Sequence, residues 1–304
     1  MLSFSTVWNA LRHVDGGKIA EEIYGLGFRA MELNFSLNQK MVEEIERFAK
    51  AKAVRITSLH NYCPTPEAFA REEALPDCYA LSSLDENERR LAVAFTQRTI
   101  LTAKKLRARA VVLHSGRVDI EDKTRLLIDL ANKGKNRTGE YQDIAETFRR
   151  ERSLRSGDFL AQTLKSFDEL LVTAEENEIT LGIENRFYYR EIPSYDEFRI
   201  IFDRYKTKRI GYWHDVGHAF ILEKLGFMPQ HALLKKYAHR LCGIHLHNIK
   251  NLADHRAPID GDLDFKELKP YLCGDIIKVL EIHGPATPEM IKESVVYLKG
   301  LCDD

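Results

Sequence analysis

Residues 209–219 read RIGYWHDVGHA. The first half, Ile210–Trp213, is a short apolar run of the kind that forms a buried strand. The second half turns ionisable, with His214, Asp215 and His218. Asp215 and His218 are three residues apart, so they face the same way if a helical turn begins directly after the strand. Adjacent strand residues point to opposite faces, so His214 is expected to turn away from Asp215 and pack as a supporting group.

Outward from this stretch the same design repeats. Apolar runs stand at Leu2–Thr6, Phe28–Leu33, Val54–Leu59, Ala108–Leu113, Ile179–Ile183, Leu241–Leu246 and Ile276–Ile282. Between the runs, helical spacing is read over Lys18–Leu26, Lys40–Lys50, Asp85–Leu106, Asp158–Glu176, Ser194–Tyr205 and Thr287–Leu298. Nearly all-apolar strands alternating with helices indicate a parallel sheet covered on both faces. No G-x-G-x-x-G follows the first run, which removes the usual dinucleotide-binding reason for an open, doubly wound sheet. The fold expected is therefore an α/β (β/α)8 TIM barrel with long insertions after strands three and four.

The 304 residues are read as one such domain, since barrels of this size run as a single unit. A charged, proline-free insertion at about 118–156 is expected to form helices at the exit of the fourth strand. Its cluster of Lys133, Lys135, Arg137, Arg149, Arg150, Arg152 and Arg155 is read as a solvated helix face. Lys plus Arg total 45 against 46 for Asp plus Glu, a balance that argues against a protein built to coat DNA or an acidic membrane. Cys63, Cys78, Cys242, Cys273 and Cys302 are scattered and odd in number, which fits reduced thiols in a cytoplasmic protein. Neither a signal peptide nor a membrane span is read from the sequence.

Ionisable residues gather where the strands end. The third run ends in SLHNYCP with His60, the fourth in VVLHSG with His114 and the fifth in LGIENR with Glu184. The seventh ends in GIHLHN with His245 and His247, and the eighth in VLEIHG with Glu281 and His283. In a barrel these ends converge on one mouth, where catalytic residues of this architecture sit. One such residue is ordinarily a hydrogen-bonded structural group. Six strands carrying them in register would be costly to bury without a compensating charge, and a divalent cation supplies it. Mixed imidazole and carboxylate ligands suit zinc, manganese, iron or cobalt, with magnesium open if few histidines bind. After the seventh run, NLADHRAPIDGDLDF can bring Asp254 and His255 back over the mouth. Asp260, Asp262 and Asp264 are expected to form turns and caps. His283 is assigned to a supporting or substrate-facing place, and His13, His231 and His239 to the surface.

As a set, FRAMELNF, SLHNYCP, VVLHSG, GIENR, HDVGHA, HLHN with DHRAPIDGDLDF, and VLEIHG resemble the xylose isomerase-like TIM-barrel superfamily over about residues 28–283. That superfamily includes sugar and sugar-phosphate isomerases and epimerases as well as endonuclease IV. The resemblance implies a central metal held by Glu184, Asp215, His245 and Glu281, with the two glutamates also moving the substrate proton. Endonuclease IV adds ligands for two further zinc ions, and matching types stand here at His60, His114, His218 and His255, with Asp254 an approximate match. The cofactor expected is thus zinc, manganese or magnesium, one to three ions.

Two functions follow. The first is a metal-dependent isomerase or epimerase of a small sugar or hydroxy-carbonyl compound, working by proton transfer through a metal-stabilised enediolate, with Glu184 and Glu281 as base and acid. Phe187, Tyr188, Tyr189 and Trp213 are candidates to floor a sugar pocket, His247 to contact substrate, and Arg117, Arg186 or Arg190 to meet a phosphate or carboxylate. The second is an endonuclease IV-like zinc phosphodiesterase acting on DNA, and a sugar or cyclitol dehydratase is a related alternative. The neutral charge favours a small sugar or sugar-phosphate substrate over nucleic acid, and leaves self-association into a homo-oligomer open.

Overall fold

The computed structural model describes residues 1–272 and 274–303. Cys273 lies outside the described residues, as does the side chain of Cys302, whereas Cys63, Cys78 and Cys242 are free thiols. The eight apolar runs are all strands: β1 (Leu2–Ser5), β2 (Ala30–Leu33), β3 (Arg55–His60), β4 (Ala110–Leu113), β5 (Thr180–Glu184), β6 (Ile210–Asp215), β7 (Leu241–Leu246) and, eighth in the barrel, β10 (Ile277–Leu280). They close into a parallel barrel in the order β1-β10-β7-β6-β5-β4-β3-β2. Between β7 and β10 the chain adds a hairpin, β8 (Asn248–Lys250) and β9 (Ala253–Arg256). Its turn residues Asn251 and Leu252 take left-handed φ values of 53° and 56°, as a tight hairpin turn demands.

The helices outside the barrel are α1 (Gly16–Gly25), α2 (Gln39–Lys52), α3 (Glu86–Lys105), α4 (Thr124–Asn132), α5 (Gly139–Asn177), α6 (Tyr195–Arg204), α7 (Val216–Lys224), α8 (Ala232–Tyr237), α9 (Lys269–Leu272) and α10 (Pro288–Asp303). None of the described helices is long and apolar enough to cross a membrane.

Helix α5 departs from expectation. It starts 19 residues before Asp158 and runs through Gly157 without a break. A glycine inside a helix costs about 1 kcal/mol, which is small beside the burial of Phe148, Phe159, Leu160 and Phe167 on either side of it. Arg152 is likewise no part of a solvated face. It is 5% exposed and grips Glu197 of α6 through two bonds of 2.9 and 2.7 Å. Its remaining donors reach the carbonyls of Tyr189 and Glu191, each at 2.8 Å. The guanidinium fork therefore ties α5 to the loop that follows β5, and Glu197 simultaneously closes a capping box with Ser194.

The barrel interior is filled in layers, because every second strand residue points inward. A dry lower layer gathers Ala110, Val112, Trp213, Ile277 and Val279. Trp213 has its room from glycine on both neighbouring strands, since a Cβ at Gly243 would lie 2.2 Å and at Gly182 2.8 Å from the indole. Two residues further along each strand the inward positions become polar: His60, His114, Glu184, Asp215, His245 and Glu281. Register aligns them, with Asp215 directly opposite His245.

Candidate active site

Four strand ends meet at the imidazole of His245. Its Nδ1 lies 2.7 Å from Glu184 Oε1, 3.0 Å from Glu281 Oε2 and 3.8 Å from Asp215 Oδ2. All four side chains are buried, and their ligand atoms lie within 4.8 Å of one another. A fourth carboxylate, Glu32 at the end of β2, holds His245 Nε2 at 3.0 Å and is itself fully buried. The sequence reading passed over Glu32, although it follows the inward Ala30 by two residues, in the rhythm that marks the other site residues.

The buried carboxylates of the site are held ionised by the guanidinium and imidazoles around them. Burial works to raise the Glu184 carboxyl, but Arg186, His114 and His245 outweigh it and hold it well below the usual carboxylate range. Glu281 is held low in the same way against burial by His245 and His255, and Asp215 by His218 and His247. Burial also disfavours charge on His245, yet Glu281, Glu32 and Glu184 raise its pKa well above the ordinary histidine value. Burial pushes the Glu32 carboxyl up, opposed by His245. Buried carboxylates packed this closely suit a divalent cation.

Around this centre the histidines form three further groups among the described residues. His60, His114 and Glu184 make one, His218, Asp254 and His255 the second, and His247 and His255 with Asp215 and Glu281 the third. His114 Nε2 lies 2.9 Å from Glu184 Oε2 but outside hydrogen-bonding geometry, so both of its ring nitrogens are buried without a partner. Buried polar atoms are almost always paired, and an imidazole orphaned beside a carboxylate has the donor chemistry to fit a divalent ion. Burial and His114 push His60 down to about 3, and burial pushes His218 down to about 4, so both rings are neutral and available as donors at neutral pH. His255, raised to about 10 by Asp254 and Glu281 against burial, lies between His247 and His283 in a stack with centroid spacings of 4.3 and 3.8 Å. The hairpin β8–β9 thus carries Asp254 and His255 over the mouth.

Helix α7 begins at Val216 with Asp215 as its cap, and Asp215 Oδ1 accepts the His218 backbone N–H at 2.7 Å. The turn brings His218 Nδ1 to 3.5 Å from Asp215 Oδ1. His214 points the other way and meets the Tyr212 hydroxyl at 2.5 Å.

Three of the expected substrate contacts are placed differently. His247 is fully buried; its Nδ1 accepts the fixed His255 backbone N–H at 2.9 Å, so its Nε2 carries the hydrogen and donates to Asp215 at 3.0 Å. It stands behind Asp215 rather than facing a substrate. The contact is close enough that a Cβ on Gly217 would lie 2.1 Å from His247 Cε1. Trp213 is fully buried beneath His245, 5.1 Å between ring centroids, and cannot touch a substrate. Tyr189 turns outward and stacks on Phe227 at 4.0 Å. Phe187 does reach the mouth, 5.1 Å from the His218 ring and stacked on Tyr188.

Arg186 is in the site, 2.8 Å from Glu184 Oε2 and 3.4 Å from Glu191 Oε1. Arg117 stands at the rim, paired with Asp77 from the long segment between β3 and α3. Arg190 reaches away to the Ile120 carbonyl. Asp264 caps the turn at Phe265 by accepting from Lys266 N at 2.9 Å, and Asp260 pairs with Lys250 at 2.7 Å. His239 is exposed, while His13 and His231 are half-buried against Glu22 and Glu267. His283 is exposed on the rim.

No curated protein matches the sequence. Among solved structures, L-ribulose 3-epimerase superposes with a TM-score of 0.70 at 15% identity, covering 100% of this chain and 94% of its own. The 3-keto-D-glucoside 4-epimerase of E. coli gives 0.69 at 14%, covering 98% of both chains. The IOLI protein with a binding zinc atom gives 0.64 at 11%, covering 99% of this chain and 98% of its own. These likenesses are ones of fold. Residues 20–300 match the model of the xylose isomerase-like TIM barrel, and the chain belongs to that family.

Proposed function

We propose that this protein is a divalent-metal-dependent isomerase or epimerase of a small sugar or related hydroxy-carbonyl compound. The observation that carries the reading is the convergence of Glu184, Asp215 and Glu281 on His245 Nδ1 at the mouth of the barrel. Sugar epimerases among the fold neighbours support the substrate class, and the zinc-binding neighbour supports the metal. Glu184, Asp215, His245 and Glu281 would hold the ion, which when bound supplies Lewis-acid polarisation of a carbonyl and its adjacent hydroxyl.

The protein's own groups do the rest. Glu184 and Glu281, both held as carboxylates, take and return the proton on the carbon beside the carbonyl. Arg186 bridges Glu184 and Glu191 and fixes the Glu184 oxygen that faces away from His245. His60, His114, His218 and His255 line the mouth, where they bind substrate oxygens or further ions; Phe187 offers an apolar wall and Arg117 a cation at the rim. The whole chain acts as one catalytic domain. Free Cys63, Cys78 and Cys242 support a reducing, cytoplasmic setting.

The test is incubation of the metal-loaded protein with a panel of ketoses, aldoses and their phosphates in heavy water. Deuterium is expected on the carbon next to the carbonyl of the true substrate. A second reading, an endonuclease IV-like phosphodiesterase, is favoured by the additional ligand groups around the centre. Three zinc ions per chain, salt-sensitive DNA cleavage and no exchange with any sugar would replace the first reading by the second. One manganese or magnesium per chain would remove the nuclease.

A further inference from the structure

We propose that Glu32 is a positioning residue that holds the ring of His245 with Nδ1 turned to the metal. The proposal rests on the reading that Glu184, Asp215, His245 and Glu281 bind a divalent ion. The two nitrogens of His245 face different surroundings: Nδ1 faces those three carboxylates, and Nε2 faces Glu32 Oε1 at 3.0 Å. An ion bound by those three carboxylates takes the Nδ1 lone pair, so Nε2 must keep its hydrogen. Glu32 is the acceptor placed to receive it.

The ring's faces are packed but do not choose between its two flipped orientations. Trp213 lies edge-on at 5.1 Å, and His60 lies parallel at 5.9 Å. Both contacts survive a flip of the imidazole; the bond to Glu32 does not. Glu32 is in turn fixed, because its Oε2 accepts the Ser58 hydroxyl at 2.7 Å from the adjacent strand. β2 and β7 are not neighbours in the barrel, so the Glu32–His245 bond crosses the interior. Ser58, Glu32 and His245 therefore form a line of hydrogen bonds from one wall of the barrel to the metal-facing nitrogen. A carboxylate on the far nitrogen of a metal-binding histidine fixes the tautomer and strengthens the donor, and its loss typically weakens metal affinity by about 10–100-fold.

The experiment measures zinc and manganese affinity by chelator competition in the full-length protein and its Glu32→Gln, Glu32→Leu and Ser58→Ala variants. Glu32→Gln and Glu32→Leu are expected to bind about 10–100-fold more weakly, and Ser58→Ala severalfold more weakly. In the zinc-loaded wild type, a slowly exchanging imidazole N–H is expected by NMR at His245 Nε2, and it should disappear from the Glu32→Leu protein. If the Glu32 variants fail to fold, Ser58→Ala still decides. Undiminished affinity in every variant that folds, with the Nε2 hydrogen retained, overturns the role of Glu32 while leaving the metal centre standing. A wild-type protein with no measurable affinity overturns both.

Discussion

Glu281 and Gly217 show how differently two residues can serve one site. Glu281 places its carboxylate 3.0 Å from His245 Nδ1, so Glu281→Gln keeps the shape while removing the charge that the proposed function uses as acid–base group and metal ligand. Turnover is expected to fall at least 10²-fold with the fold intact, measured by the heavy-water exchange assay and circular dichroism; full activity would mean the site is misplaced. Gly217 touches no ion. A methyl group there would drive His247 off Asp215, because no backbone movement short of shifting α7 clears a 2.1 Å contact. Gly217→Ala is expected to weaken metal binding by about tenfold, read by chelator competition; unchanged affinity would show that the Asp215–His247 bond does not matter. At this scale the sequence was partly readable. The strand-end rhythm pointed to His60, His114, Glu184, Asp215, His245 and Glu281, all of which the structure brings to one mouth. It did not reveal Glu32, whose partner lies across the barrel, or that His247 would be sealed behind Asp215, which depends on a backbone N–H of the hairpin.

Helix α5 is the element whose internal charge matters most. Removing Arg152 leaves Glu197 buried and uncompensated, since both Glu197 oxygens accept from that guanidinium. Arg152→Ala is expected to cost about 3–5 kcal/mol, measured by urea denaturation, and Arg152→Ala with Glu197→Gln should lose less. A loss below about 1 kcal/mol in the single variant would show that the loop finds other support. The sequence placed the strands well because parallel strands are apolar throughout and short. It misread α5 because Ser-Gly-Asp at 156–158 imitates a helix start. Burial of one arginine among charged neighbours is likewise invisible in composition, since it depends on where α6 and the β5 loop fall.

At the scale of the molecule, the cluster of buried carboxylates should make stability depend on metal. A ligand that binds only the folded state stabilises it by about 2.7 kcal/mol at a hundredfold excess over its Kd. Stripping with a chelator is expected to lower the melting temperature by several degrees, and re-addition of zinc or manganese to restore it, followed by calorimetry; a melting curve indifferent to chelator and metal would argue against a tight site. Closure of the barrel was legible from eight repeating units, whereas how tightly the mouth is sealed came only with the loops. The long helix also sets a timescale. Its lower half packs against α3, where Ser166 accepts from Arg89 at 3.2 Å and Thr173 from Gln97 at 3.1 Å, and its upper half grips the Tyr189 and Glu191 carbonyls at the lip. At about 58 Å for 39 residues, α5 is the longest of the described helices. A surface loop ordinarily breathes independently of the core, but this one is fastened to a rod that the core itself clamps. Its amide hydrogens should then exchange as slowly as those of the neighbouring strands, so that the lip opens only when the wall does.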